Sequence, residues 1–220
     1  MRDSFSYHDG VKNIVLLKGK IISDIINSHE FSGEHFYELM INTERLKEGV
    51  SDTIPVKLTE KLIDISSSHI GRTVYIRGQY HSCNRHENGK NKLLLSVYVN
   101  DLEFTDDLGD KSYRNQIYLN GFICKPPIYR KTPAGREITD ILLAVNRRNG
   151  KSDYIPCLCW GNDAQHAAFY KVGDKFATFG RIQSREYYKN GVKLTAYEVS
   201  SMLICNKENL KSAPMIEQII

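Results

Sequence analysis

Residues 153–184 read DYIPCLCWGNDAQHAAFYKVGDKFATFGRIQS, and the order of elements in them decides the fold. DYIPCLCW (153–160) alternates and is rich in strand formers, so it predicts a strand. GNDAQHAAFYKVG (161–173) opens on an Asn/Asp cap and closes on glycine, which predicts a short helix of about two turns. DKFATFGRIQS resumes as a strand. Upstream, RNQIYLNGFIC (114–124) and EITDILLAVN (137–146) supply two more, separated by KPPIYRKTPAGRE, where adjacent prolines forbid regular ladder bonding and imply a turn region. Downstream, REYYKNGVK is a hairpin with Asn-Gly at its turn, and LTAYEVSSMLI is the fifth strand.

Five strands with one short helix between the third and fourth is the order of an OB-fold barrel. A β-sandwich wants more strands and no helix at that point. A doubly wound α/β sheet wants a helix between nearly every strand pair.

The first half says the same thing again. NIVLLKGKI (13–21) aligns with NQIYLNGFI (115–123), and IGRTVYIRGQYHS (70–82) with VGDKFATFGRIQS (172–184). Gly19 pairs with Gly121, Gly78 with Gly180 and Gly89 with Gly191, each 102 positions apart. SDTIP and SDYIP are offset by 101, so one residue was gained or lost between strands. Agreement over most of both halves implies duplication. The expected class is all-β, two tandem OB-folds, each a five-stranded barrel with one short helix. Strands are expected near 13–22, 35–43, 53–58, 73–82 and 92–104 of the first copy, with its helix near 59–68. The expected boundaries are a degenerate OB-fold over 1–104, an acidic glycine-containing linker over 105–112, a second OB-fold over 113–205 and a tail over 206–220.

Composition narrows the function. No apolar run approaches the length of a membrane span, and MRDSFSYHDG lacks the apolar core of a signal peptide, so a soluble cytoplasmic protein is expected, with no membrane partner. Five cysteines (Cys83, Cys124, Cys157, Cys159, Cys205) have no disulfide-like spacing and read as reduced, packed side chains. Zinc on the Cys157/Cys159 pair would need further ligands, for which only Cys124 and His166 offer themselves; His69, His81 and His86 lack a diagnostic spacing. No metal and no cofactor is expected. The net charge of +4 hides an asymmetry: residues 1–104 hold 13 Lys+Arg against 14 Asp+Glu, residues 111–200 hold 15 against 7. A second half of that sign suits a polyanion.

On the strand 153–160, Ile155, Cys157 and Cys159 share one face, suited to a barrel interior; Tyr154, Pro156, Leu158 and Trp160 share the other. Tyr187 and Tyr188 lie in the last hairpin beside Arg185 and Lys189. Arg130, Lys131 and Arg136 fall in the first hairpin, and Arg147, Arg148 and Lys151 in the next loop. Rings interleaved with cations are what a single nucleic-acid strand needs, because bases stack on aromatic faces while cations track the phosphates. A nuclease would want clustered carboxylates for metal ions, whereas Glu137, Asp140, Asp153, Asp163 and Asp174 are dispersed. Cys157 or Cys159 as a nucleophile would need a partnered histidine, and nothing brings His166 within reach. Catalysis is not expected.

The second half resembles the bacterial single-stranded DNA-binding proteins (SSB). The likeness runs through NQIYLNGFI, EITDILLAVN and DYIPCLCWGNDAQHAAFYKVGDKFATFGRIQSREYYKNGVKLTAYEV, nearly all of 114–199. The resemblance implies base-stacking roles for Tyr154, Trp160 and Tyr187, with Asn149 standing where well-known members carry a fourth ring. It also implies four OB-folds per assembly, hence a homodimer of this chain, working in DNA replication, repair and recombination. In the first copy the counterparts are Thr53, Thr59 and approximately Arg85, so no stacking platform is expected at those three positions and a structural or assembly role is. The end of the chain, ENLKSAPMIEQII, departs from the family's acidic tip, so recruitment of repair enzymes through such a tip is not expected. The alternative is a primosomal-type OB-fold assembly protein acting mainly through protein contacts.

Overall fold

Strand pairing closes each half of the chain on itself. In the computed structural model, which describes residues 12–87 and 89–205, the first half carries β1 (Asn13–Ile21), β2 (Ile26–Phe31), β3 (Glu34–Glu44), β4 (Ser51–Thr59), β5 (Thr73–Glu87) and β6 (Lys90–Phe104). β1 pairs antiparallel with both β3 and β5, β3 with β4, and β5 with β6. A short parallel contact of β4 with β6, Val56 opposite Val97, completes the ring. The second half repeats the scheme with β7 (Asn115–Ile123), β8 (Ile128–Lys131), β9 (Glu137–Asn146), β10 (Ser152–Trp160), α1 (Gly161–Ala167), β11 (Lys175–Lys189) and β12 (Val192–Ile204). Here β7 bonds to β9 and β11, β9 to β10, β11 neighbours β12, and the parallel closure sets Cys157 opposite Val199. Two OB-fold barrels are thus present.

Alternation fills the interiors. Ile54, Val56 and Leu58 of β4 are at most 1% exposed, as are Ile155, Cys157 and Cys159 of β10. Closing so small a barrel forces strands to approach tightly, and two of the shared glycine pairs, Gly19/Gly121 and Gly78/Gly180, mark the close approaches. A Cβ on Gly19 would lie 2.3 Å from the Asn42 carbonyl oxygen; one on Gly121 would lie 2.3 Å from that of Ala144. Glycine stands there because another backbone occupies the space of a side chain.

Three features differ from the sequence expectation. β2 and β8 add a strand to each half. β8 is exposed throughout and β2 has no buried residue, so neither shows the alternation that betrays a strand. The helix expected near 59–68 is not there: residues 60–67 form turns. Asp64 accepts from the Ser66 backbone N–H (3.0 Å) and from the Ser66 and Ser67 hydroxyls (2.7 and 2.6 Å). Those bonds compete with a helical ladder. They also hold the Asp64 carboxyl down to about 2.

Compactness cuts the chain differently from its repeat. One unit takes Ile117–Arg181 and the strand from Glu198, with Asn13 and Ile14; the other takes Val15–Gln116 together with Ile182–Tyr197. The outer half of the β11–β12 hairpin, called the arm below, therefore groups with the first barrel. Between β6 and β7, residues 105–110 carry no regular element, and a 3-10 turn over Lys111–Tyr113 precedes β7.

Candidate nucleic-acid interface

On the outer face of the second barrel, register fixes the neighbours. Tyr154 lies opposite Ala144, Pro156 opposite Leu142, Leu158 opposite Asp140 and Trp160 opposite Ile138. Tyr154 is 43% exposed. Trp160, half-buried, donates from Nε1 to the Ser200 Oγ at 3.0 Å, which fixes the indole at the end of β10 where α1 begins. The Arg136 guanidinium carbon stands 5.6 Å from the Trp160 ring centroid. A ring with one edge anchored and a cation at its face has the general form of a surface on which a base can stack.

The other cations of this unit are differently engaged. Arg130 makes two bonds to Asp140 (2.6 and 3.2 Å), which raise its already high pKa, and Lys131 lies 3.7 Å from Glu137. Glu137 also accepts from the Tyr129 hydroxyl and the Gln165 amide, both at 2.6 Å, and these bonds hold its carboxyl below the usual range. Arg147 is committed to Asp153: Nε donates at 2.8 Å, Nη2 donates to the second oxygen, and the carboxylate is wholly buried. Arg148, Asn149 and Lys151 are exposed in the β9–β10 loop.

The arm forms its own patch. Its turn is Asn190-Gly191, with φ of 52° and 74°, the positive values that a two-residue hairpin turn requires. Arg185 stands 5.7 Å from the Tyr187 ring, Tyr188 is 75% exposed, and Lys193 pairs with Glu186 at 2.8 Å across the hairpin. Lys189 is exposed at the end of β11. Successive strand residues point to opposite faces. Tyr187, half-buried, and Tyr188 therefore do not offer one continuous platform, although their adjacency in sequence suggests it.

The first barrel carries its rings on strands other than β4. Thr59, the counterpart of Trp160, lies opposite Phe36, and Lys57 lies opposite Tyr98. Phe36 stacks on His29 (4.8 Å), Tyr98 sits 5.8 Å from Phe36, and His81 meets Tyr98 edge-on at 5.0 Å. The Lys57 ammonium is 5.8 Å from the Tyr98 ring and 3.6 Å from Glu38. Burial, and then the Lys57 charge, push the His29 pKa down. The aromatic character of this face has moved from β4 to its neighbours, a shift visible only once the pairing is known. Glu38 and Lys57 at its centre lack the cationic excess of the second barrel.

Cys124, Cys157, Cys159 and His166 form no metal site: among the described residues no three His, Cys, Asp or Glu side chains gather as metal ligands would. His69 bonds from Nε2 to the Asp64 carbonyl (2.8 Å) and lies against Phe104, while His86 bonds to Asn91 (2.9 Å). No described helix is long and apolar enough to cross a membrane.

The model of the Single-strand binding protein family matches residues 114–204. The Bacillus subtilis single-stranded DNA-binding protein B is 37% identical over 93 residues, which are 39% of this chain and 82% of the relative. The chain belongs to the single-strand binding protein family. Single-stranded DNA-binding protein 2 of Listeria monocytogenes is 38% identical over 86 residues, 36% of this chain and 54% of that protein. The chain thus spans about half the length of several curated relatives it matches. A crystal structure of the single-stranded DNA-binding protein from Thermus aquaticus superposes with a TM-score of 0.71 over 88% of this chain and 92% of that one, at 18% identity. At that identity the likeness speaks for the fold.

Proposed function

We propose that the protein binds single-stranded DNA with little sequence preference and without catalysing a reaction. The observation that carries this reading is the outer row of β10, where Tyr154 is exposed and Trp160 is held by Ser200 with Arg136 at its face. That row lies inside the segment that matches the family, whose relatives carry single-stranded DNA binding in their names. Bases stack on Tyr154 and Trp160. Arg136, Arg148 and Lys151 face the phosphates, Arg130 and Lys131 reach them from their pairs with Asp140 and Glu137, and the arm adds Arg185, Tyr187, Tyr188 and Lys189; Arg147, bound to Asp153, serves the barrel. Two barrels per chain, divided at the linker over 105–112, suit a cytoplasmic homodimer with four.

Trp160 is the chain's single tryptophan, so its emission reports one defined site. Titration with oligo-dT at low salt should quench it. Tyr154→Ala and Trp160→Ala should each weaken binding by about 1–3 kcal/mol, the usual worth of one stacked base, the latter read by anisotropy of labelled oligo-dT. Thr53→Ala should leave affinity unchanged. Emission that saturating oligo-dT does not move would refute the role given to Trp160.

A further inference from the structure

The root of the arm is held by the first barrel through every polar group of one serine. Ser184 donates its backbone N–H to Asp52 Oδ1 at 2.8 Å. Its hydroxyl oxygen accepts from the Thr53 backbone N–H at 3.0 Å, and its carbonyl accepts from Arg45 Nη2 at 3.3 Å. Arg45 also grips Asp52 by two bonds, Nε to Oδ2 at 2.8 Å and Nη2 to Oδ1 at 2.5 Å, and the Asp52 carboxylate is wholly buried. Two residues earlier, Ile182 is strapped by Asn115, whose amide oxygen accepts from the Ile182 N–H (3.0 Å) and whose amide nitrogen donates to its carbonyl (2.7 Å). All of these residues lie in one compact unit.

The arm's candidate contacts begin at the next residue, Arg185. We infer that Asp52 and Arg45 are positioning residues for strand binding: a socket in the first barrel that fixes the arm carrying Arg185, Tyr187, Tyr188 and Lys189. This deepens the single-strand-binding reading and rests on it. A hairpin must be ordered before its rings can take a base, and that ordering lowers affinity unless it has occurred in advance. A buried carboxylate makes a good anchor because it needs its donors: withdrawal of Ser184 would leave a charged oxygen short of one in a site away from water. Thr53 stands where the second barrel has Tyr154, and its backbone is engaged by the arm. The first barrel therefore acts on the bound strand through the arm, with no ring at Thr53 required.

Asp52→Asn retains the size of the side chain but turns one acceptor into a donor facing Arg45 or Ser184. Ser184→Ala removes only the bond to Thr53 and serves if the first variant fails to fold. Two readouts are taken: amide hydrogen exchange over 185–196, and affinity for oligo-dT, alone and in a background carrying Arg185→Ala, Tyr187→Ala, Tyr188→Ala and Lys189→Ala. The socket predicts faster exchange in the arm and about five-fold weaker binding, the worth of roughly one hydrogen bond. It further predicts no added loss in the background that lacks the arm's contacts, since coupled residues are not additive. Losses that add, or arm amides that exchange as before, overturn the socket while leaving strand binding intact. A wild-type protein that does not bind oligo-dT overturns both.

Discussion

Cys157 and Cys159 are two residues apart on β10, and the strand period turns that spacing into packing: both thiols enter the barrel interior at 1% exposure or less. Burial pushes Cys159 up to about 12 and Cys157 well above its ordinary value. Cys205 is likewise pushed up to about 12, and Cys124, which donates to the Leu142 carbonyl at 3.1 Å, is raised as well. The nucleophile in thiol chemistry is the thiolate, and raised values leave almost none at neutral pH. Cys83 alone among the five is exposed. Ellman's reagent at pH 8 should therefore modify Cys83 promptly in the native protein and the rest only on unfolding. Labelling of Cys159 as fast as Cys83, read by mass spectrometry of peptides, would contradict its interior placement. Residue period also decided what the sequence left ambiguous at Tyr187-Tyr188, where adjacency reads as a cluster and the strand separates the rings.

At the scale of elements, the glycines carry the barrel. Gly121→Ala would set a methyl group 2.3 Å from the Ala144 carbonyl oxygen and 3.0 Å from its carbon, both backbone atoms that cannot swing aside. Forcing β7 from β9 should destabilise by about 1–3 kcal/mol, as overpacking does, and appear as a lower urea midpoint. An unchanged midpoint would mean that the crossing is looser than its geometry. The recurrence of Gly19 and Gly121 in register was legible in advance, although not the crossing that it marks, and so was the order strand–helix–strand over 153–184. What could not be read follows from the same physics. β8 buries nothing, so no pattern marks it. In 59–68 the likeness to the second copy suggests a helix, but Asp64 and its serines close turns there instead. The candidate site divides likewise: Tyr154 and Trp160 are written into the alternation of one strand, whereas Phe36 and Tyr98 face Thr59 and Lys57 only through pairing across three strands.

For the molecule as a whole, the excess of cations in the second half is not one uniform field. Arg147 is spent on a buried carboxylate, a pairing repeated in the first half by Arg45 on Asp52, and Arg130 on a partly exposed one; Arg148 and Lys151 are exposed in the loop between β9 and β10. Counterion release depends on how many phosphates a protein neutralises, with a slope of about −0.7 per phosphate for single strands in a plot of log K against log salt. Arg148→Ala and Lys151→Ala should each flatten that slope by up to about 0.7 for oligo-dT while leaving the melting temperature unchanged. Arg147→Ala should do the reverse. Loss of one partner of a buried pair strands the other charge, at about 3–5 kcal/mol of stability, and Asp153 is wholly buried. If Arg147→Ala instead flattened the slope with no loss of stability, that arginine would belong to the strand rather than to the barrel. The same comparison on Arg45→Ala separates the halves: it should cost stability and loosen the arm, yet leave the slope for short oligonucleotides unmoved, because its charge serves Asp52 and the Ser184 carbonyl.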